Sequence, residues 1–561
     1  MDESLVLLSL VISTSTFLSI ILFGKIGPLV AVTTLSLTSA LWGWAAPTEN
    51  ETFVLRIMLL LVSSIAIYFN REKLYANIRS NLRTKIYEIL IANALIISTA
   101  LLVRSVQPKF LYELMFNGYD NYGHLAVFYR TFELNGFEYS PRAQIETPNV
   151  LAADGYPLLV HMVWSVFLRL FNFDLESSES LIQFFVYFSV LTLLYLSYLV
   201  VLLITTQFKK LVKHELYAIT LLVLGLILFA QTSTLVLQGF SPTLAGLIFT
   251  FSVYVLIRLD ITPRLKWILL YTSVILTGYG YQLFVPIAYL GIIAFSYFEF
   301  KKTPRGKFYL RLLTSHLGLF LAAIPLISVS KAIPSYLFAY GGIQAPHTIL
   351  LLAVLIFNLG LLILRKWDLT SLGYFFSTAL AAILIAWAKF NDVGYYYAIK
   401  IVYLSLLLGI VAGLLNFCTI KRFRGFNVAL STLTAITIAS LLLANQTSVF
   451  QNSTAIQIFT SKGFENPCVG SQYDAVASEN VFGKSKVIFV YANAGSISDL
   501  GTRQMNAING RWDNEIFNFS IPYGQAENQE QFFDSYRLSN PNTDFVVYDY
   551  SQKNCRLVKR G

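Results

Sequence analysis

The chain carries little charge. Only 13% of its 561 residues are Asp, Glu, Lys or Arg, whereas 56% are hydrophobic, and the mean hydropathy is +0.61. Soluble domains contain roughly 25% charged residues, which cover their surface, whereas a bilayer supplies an apolar solvent instead. The composition therefore excludes an ordinary soluble protein and predicts a polytopic membrane protein.

Cysteine is also scarce, with three residues in the chain. This number is too small for a disulfide framework or a zinc ribbon. Cys468 and Cys555 bracket a polar C-terminal segment, so a disulfide bond between them is sterically possible in an oxidising compartment.

The N-terminus also lacks the basic residues that begin a signal peptide. The chain opens Met1-Asp2-Glu3, so we expect no cleavable signal peptide and a first helix with its N-terminus outside.

Long apolar runs, in contrast, are abundant. Runs of about 17 to 25 residues mark membrane spans, and this criterion predicts about fourteen helices. A tight turn around Gln282 must divide one long apolar stretch into two of them. The predicted spans lie near 4–23, 27–46, 52–69, 86–103, 181–206, 216–231, 241–258, 267–282, 284–299, 311–330, 347–364, 370–388, 397–417 and 427–444.

Lysine and arginine set the predicted orientation. The net charge of +10 does not indicate nucleic-acid binding, because the basic residues fall in short loops such as 71–85, 258–266 and 421–424. These loops alternate with less basic ones, so we predict that they are cytoplasmic and that both termini lie outside the plasma membrane. The predicted regions are N-terminal transmembrane helices (1–103), a large extracytoplasmic loop (104–180), a transmembrane core (181–444) and an extracytoplasmic domain (445–561).

The two extracytoplasmic regions differ in pattern. In the loop, 158–171 is apolar but shorter than a span, which predicts a helix lying in the membrane interface. In the C-terminal region, 487–491 and 545–548 have buried-strand patterns with polar, Gly- and Asn-rich connections between them. The predicted fold class is an all-α polytopic membrane protein with a small C-terminal α/β domain.

Asp120 and His124 form the first candidate site, just after the fourth predicted helix. If the segment is helical, residues four apart share a face. A carboxylate beside an imidazole could act as a general base or hold a divalent metal such as Mg²⁺ or Mn²⁺. The alternative is a solvated, hydrogen-bonded entry to the loop.

Asp154, Tyr156 and His161 form a second cluster. The Gly-Tyr-Pro sequence at 155–157 predicts a turn into a helix, because proline is tolerated in a first turn. His161 then lies on an otherwise apolar helix, where a lone histidine is more often a structural group than a ligand.

A third cluster lies at the outer end of the thirteenth predicted helix and consists of Lys389, Tyr395, Tyr396, Tyr397 and Lys400. Lys400 falls about one turn inside the span, where a cation needs a partner. A lipid phosphate is a natural partner for it. The alternatives are a lysine that reaches the headgroups without a specific role and tyrosines that form an interfacial aromatic belt.

These features together resemble the GT-C superfamily of polyprenyl-phosphate-sugar-dependent glycosyltransferases. The shared pattern is an acidic residue in the first large external loop, interfacial helices in that loop and a C-terminal external domain. More narrowly, 119–124 and 156–161 look like a family of uncharacterised bacterial multi-span proteins, and 395–400 resembles tyrosine–tyrosine–basic motifs of cell-wall arabinosyltransferases. The resemblance begins at the fourth predicted helix and leaves the first three as additions.

The resemblance implies a donor sugar on a polyprenyl phosphate and a glycan or lipid-linked acceptor. Asp120 would take the proton of the acceptor hydroxyl as it attacks the anomeric carbon with inversion. Lys400, with Arg130 or Lys389, would neutralise the departing lipid phosphate. The other implied substrate contacts are Asp154, Tyr156, His161, Tyr395, Tyr396 and Tyr397.

This sequence departs from the family pattern at the base. Many relatives have paired carboxylates, whereas Asp120 has no adjacent Asp or Glu. The metal requirement is therefore open, with Asp120 and His124 as candidate ligands. Asp154 or Glu133 could supply a second carboxylate.

Two other classes of function fit the composition. One is a polyprenyl-lipid or glycan flippase or transporter, although ion-coupled carriers usually hold charged residues near the membrane midplane and the predicted central spans contain almost none. The other is a non-catalytic membrane scaffold whose C-terminal domain binds a glycan.

Overall fold

The computed structural model describes most of the first two thirds of the chain and parts of its C-terminal region. The described residues are 3–69, 71–116, 121–137, 140, 142, 158–207, 220, 235–236, 239–300, separate positions within 307–321, 346, 348–417, 468–479, 481–482, 487–493, 496–497, 499–510, 544–551 and 556–559.

Helices dominate the described part of the chain. In order, they are α1 (Ser4–Phe23), α2 (Gly27–Ala45), α3 (Glu49–Phe69), α4 (Arg71–Ser105), α5 (Pro108–Phe116), α6 (Asn121–Glu133), α7 (Leu159–Leu170), α8 (Ser178–Gln207), α9 (Ser241–Arg258), α10 (Pro263–Gly280), α11 (Val285–Phe300), α12 (Thr348–Ile363), α13 (Leu369–Phe390), α14 (Tyr396–Phe417), α15 (Cys468–Ser478) and α16 (Asp499–Ile508).

Several of these helices have the length and composition of membrane spans. Within the described residues, six helical segments qualify, and the protein is an integral membrane protein built mainly of α-helices. Predicted span 427–444 and most of spans 216–231 and 311–330 lie outside the described residues. The six segments are Ser4–Ala45, Lys85–Ser105, Ser178–Gln207, Ser241–Arg258, Leu369–Phe390 and Tyr396–Phe417.

Helix ends follow local chemistry. Proline occupies the first turn of α2, α9 and α10, where its missing N–H costs no hydrogen bond. The Asp368 carboxylate caps α13 by accepting from the backbone N–H of Ser371 at 2.9 Å, and it also pairs with Arg258 at the end of α9. A 3₁₀ turn, Gln282–Phe284, divides α10 from α11 at the turn that the sequence predicted.

The centre of the helical bundle is formed by α9 and α14. Of their apolar windows, 89% and 94% are buried inside the protein, against 22% for the outer span Lys85–Ser105. The short helix α7 lies where the sequence predicted a helix, and its side chains pack against α2 and α6. A polar group on α14 or α7 is therefore surrounded by protein.

The described part of the C-terminal region contains a four-stranded sheet in the order β2-β1-β3-β4. Its strands are β1 (Val487–Asn493), β2 (Ser496–Ile497), β3 (Asp544–Ser551) and β4 (Arg556–Lys559). Strands β1 and β3 are parallel, and β2 and β4 pair antiparallel at the two edges. Helix α16 packs on β1, and the Asn506 side chain bonds the backbone of Phe489 in that strand. We call this sheet with α15 and α16 the C-terminal unit.

The C-terminal unit packs on α5 and α6. Lys109 on α5 pairs with Asp474 on α15 at 2.5 Å. The buried Tyr112 ring lies 6.0 Å from the Tyr473 ring, and its hydroxyl donates to the carbonyl oxygen of Gln504 at 3.4 Å. The C-terminal unit and the segment that follows α4 therefore lie at the same end of the bundle.

Candidate functional site

The structure covers only part of the predicted site. The described residues include His124, Arg130, His161, Lys389, Lys400 and the three tyrosines 395–397. They do not include Asp120, Asp154, Tyr156 or Cys555. Cys468 begins α15. The predicted base, two predicted substrate contacts and one end of the predicted disulfide therefore stay predictions from sequence.

Lys400 is fully buried in the second turn of α14. Its ammonium nitrogen lies over four aromatic rings. The distances to the ring centroids are 4.2 Å for Tyr396, 4.7 Å for Tyr397, 4.7 Å for Phe240 and 5.2 Å for Tyr281. The negative faces of aromatic rings attract a cation, and more strongly where water is excluded. We call these four rings the aromatic cage.

Three segments that are distant in sequence build the aromatic cage. Tyr396 and Tyr397 open α14, Phe240 directly precedes α9, and Tyr281 directly follows α10. Gly246 on α9 permits the approach of Tyr281, because a Cβ at this position would lie 2.2 Å from the Tyr281 Cβ. The cage thus depends on the packing of α9, α10 and α14 around one side chain.

Two buried histidines stack on each other, and one of them, His124, is close enough to Lys400 to feel its charge. The rings of His124 on α6 and His161 on α7 are stacked, with centroids 5.1 Å apart and planes 11° from parallel. Trp164 meets His161 edge to face at 5.5 Å. Among the described residues, neither ring nitrogen of His161 has a hydrogen-bond partner. We call His124 and His161 the histidine pair.

The surroundings keep both imidazoles neutral. Burial lowers the pKa of His161 to about 3. Burial also lowers the pKa of His124 well below its usual value, and the neighbouring His161 and the positive charge of Lys400 add to the effect. A neutral imidazole has one donor and one acceptor nitrogen. At neutral pH the histidine pair can therefore donate a hydrogen bond to a hydroxyl group or accept one from it.

The remaining predicted cations have other contacts. Arg130 is half-buried and pairs with Glu133 at 3.3 Å on the same helix. Lys389 is exposed at the end of α13, with its ammonium nitrogen 5.9 Å from the ring centroid of Tyr395. Tyr395 itself is 40% exposed, whereas Tyr396 is buried. Lys400 is thus the predicted cation that is enclosed by protein.

A metal ion does not fit the histidine pair as the structure places it. One ion bound by a nitrogen of each ring would have to lie close to both ring planes, and stacked rings do not share a plane. The described residues also contain no group of three His, Cys, Asp or Glu side chains that could hold a metal. The chemistry available from the described site is that of a buried cation and two neutral imidazoles.

Sequence reasoning did not identify Phe240, Tyr281 or Trp164. Phe240 and Tyr281 lie next to helix ends that the sequence did predict, so the available signal was an aromatic residue at the boundary of a span. Trp164 lies three residues after His161 and therefore shares its helix face.

Helix α6 joins this site to the C-terminal unit. His124 lies near its start, and Tyr129 further along contacts the ring of Phe482 at 5.1 Å. Gly510, which has a φ of +74°, lies against Tyr129.

The chain matches no protein-family model, no curated protein and no solved structure.

Proposed function

We propose that this protein is a membrane glycosyltransferase that moves a sugar from a polyprenyl-phosphate donor to an acceptor hydroxyl. The observation that supports it most is the buried Lys400 ammonium in the aromatic cage, beside the histidine pair. A cation enclosed by protein within a membrane span favours an anionic ligand over water. The phosphate of a membrane lipid is an anion that reaches such a site from the bilayer.

The proposed reaction is a single displacement. The Asp120 carboxylate, which precedes α6 in the sequence, removes the proton of the acceptor hydroxyl. The oxygen attacks the anomeric carbon, the bond from that carbon to the phosphate oxygen breaks, and its electron pair leaves with the polyprenyl phosphate. The anomeric carbon is inverted.

The described residues act on the two ends of this displacement. Lys400 neutralises the charge that builds up on the departing phosphate, in a setting where electrostatic interactions are strong. His124 and His161, both neutral, hold the acceptor or sugar hydroxyls by hydrogen bonds. Tyr396 and Tyr397 offer aromatic faces against which a sugar ring can pack.

We also propose the finer topology that this activity needs. It comprises about fourteen spans, with the site, both termini and the C-terminal unit outside the plasma membrane. The packing of the C-terminal unit on α5 and α6 supports a common side for these elements. The polar, aromatic end of α14 then faces the outer leaflet, where the lipid donor is delivered.

The test is sugar transfer by purified protein from a panel of radiolabelled polyprenyl-phosphate sugars, with Asp120→Asn as the variant. We expect transfer by the native protein and a loss of at least about a hundredfold in Asp120→Asn, with binding of the lipid retained. Lipid binding by both proteins without transfer by either, in the presence of a cell-envelope acceptor extract, would favour a flippase or a scaffold instead.

A further inference from the structure

An apolar groove of about 500 Å³ borders α7, the helix that carries His161. Helices α1, α2, α4, α7, α8 and α9 form its walls. The described residues that line it include no charged side chain, and hydroxyls such as those of Ser19 and Thr192 bond backbone carbonyls of their own helices. A groove of this kind excludes water and takes hydrocarbon.

The groove and the histidine pair share one helix. Helix α7 lines the groove with Leu159, Val160, Val163 and Trp164. The ring of Trp164 also contacts the ring of His161 edge to face, with centroids 5.5 Å apart. A single indole ring therefore separates the apolar space from the imidazole stack. A molecule in the groove that extends past this ring meets His161 before His124.

The aromatic cage of Lys400 and the groove are built from different side chains. None of its four rings is among the described residues that line the groove. The contacts run in the order groove, Trp164, His161, His124, and the charge of Lys400 acts on His124. The histidine pair therefore stands between an apolar site and a cationic site.

We propose that the acceptor is a lipid and that its hydrocarbon chain occupies this groove. The inference rests on the proposed function, in which Lys400 receives the phosphate of the donor. A displacement needs the attacking hydroxyl and the leaving phosphate on opposite sides of the anomeric carbon. A ligand in the groove lies next to His161, whereas the charge of Lys400 acts on His124, the other member of the pair. The uncharged lining favours a lipid whose polar end is a hydroxyl or a sugar.

The proposal also gives a role to the N-terminal helices. Helices α1 and α2, which the family resemblance leaves as additions, contribute Ile12, Ala31 and Leu35 to the groove. They complete a wall that α7, α8 and α9 leave open. In this proposal the extra helices help to define the class of acceptor.

The test uses the full-length protein in lipid nanodiscs and two photoactivatable probes with a diazirine in the chain. One probe is a long-chain alkyl glucoside, which has sugar hydroxyls and no phosphate, and the other is a polyprenyl monophosphate. Ala31→Trp fills the groove from α2. We expect about a tenfold loss of labelling by the alkyl glucoside, with labelling by the polyprenyl phosphate unchanged.

A second variant and a control make the result specific. Ala92→Phe fills the groove from α4 and is expected to act as Ala31→Trp does, so the test stands if one of them fails to fold. Leu18→Trp adds bulk on α1 at a half-exposed side chain outside the groove, and it should leave both labels unchanged. Thermal unfolding reports which variants are folded.

Two results would overturn the proposal. One is undiminished labelling of folded groove variants by the alkyl glucoside, and the other is a loss confined to the polyprenyl phosphate, which would assign the groove to the donor chain. Labelling does not depend on sugar transfer. If no transfer is found with any donor, the proposed function fails, and the labelling still decides which lipid the groove takes.

Discussion

His124 and His161 stack within the bundle at 5.1 Å, although 37 positions separate them in the chain. The contact joins α6, which the C-terminal unit packs against, to α7, which lines the apolar groove. The stacked imidazoles therefore link α6 and the C-terminal unit packed on it to α7 and the groove that α7 lines.

The histidine pair should make stability depend on pH. Burial holds the pKa of His161 at about 3, below the value of about 6.5 for an exposed histidine. Between these values the unfolded chain binds a proton that the folded protein does not bind. Stability is therefore full above about pH 6.5 and falls as the pH drops toward 3, by up to about 5 kcal/mol for this residue.

Thermal unfolding in detergent between pH 7 and about pH 4.5 measures this dependence. His161→Phe keeps a ring against Trp164 and removes the titrating group, so its unfolding midpoint should fall less steeply with decreasing pH. The exposed His316 provides the matched control, and His316→Phe should retain the native slope. An unchanged slope in His161→Phe would show that this imidazole is not held neutral by burial.

Gly510 should be required for the docking of the C-terminal unit. A Cβ at this position would lie 2.7 Å from two ring atoms of Tyr129, and the φ of +74° strains any residue with a side chain. We expect Gly510→Ala to destabilise the contact by about 1–3 kcal/mol. Faster proteolytic release of the C-terminal unit is the measurement.

Gly360 on α12 is the control for this substitution. No atom lies within 4 Å of a Cβ built there, and the residue is in a helix interior. Gly360→Ala should therefore leave the protein unchanged or stabilise it by up to about 1 kcal/mol. Equal proteolysis rates for both variants and the native protein would argue against the role of Gly510.

The packing of α6 against the C-terminal unit also predicts accessibility. Glu133→Cys on α6 and Lys559→Cys on β4, both exposed, should react with an impermeant thiol reagent on the outside of intact cells. Thr262→Cys, in the basic loop between α9 and α10, should react only after permeabilisation. The three native cysteines are replaced by serine in this experiment. Labelling of Glu133→Cys and Lys559→Cys from opposite sides would contradict the described packing.

Long apolar runs made the helices predictable. The predicted spans 241–258 and 397–417 differ from α9 (Ser241–Arg258) and α14 (Tyr396–Phe417) by at most one residue at either end. A bilayer requires every backbone polar group to be satisfied within the helix, so length and hydropathy determine these elements locally.

The site was predictable only in part. The sequence singled out Lys400 as a cation inside a span, because a charged residue within an apolar run is visible from its position in the sequence. The sequence could not pair His161 with His124 or bring Phe240 and Tyr281 to Lys400, because these contacts depend on how the helices pack. For the same reason residue type alone favoured a structural role for His161, whereas the family resemblance implied a substrate contact.

The most direct test of the central claim is the binding of a polyprenyl monophosphate to purified Lys400→Met. Methionine keeps an unbranched side chain of similar size and removes the charge. Lys389→Met, at the exposed end of α13, is the matched control. We expect Lys400→Met to bind the lipid about 10 to 100 times more weakly than the native protein, and Lys389→Met to bind it nearly as well. Native affinity in folded Lys400→Met would contradict the assignment of Lys400 as the phosphate-binding residue.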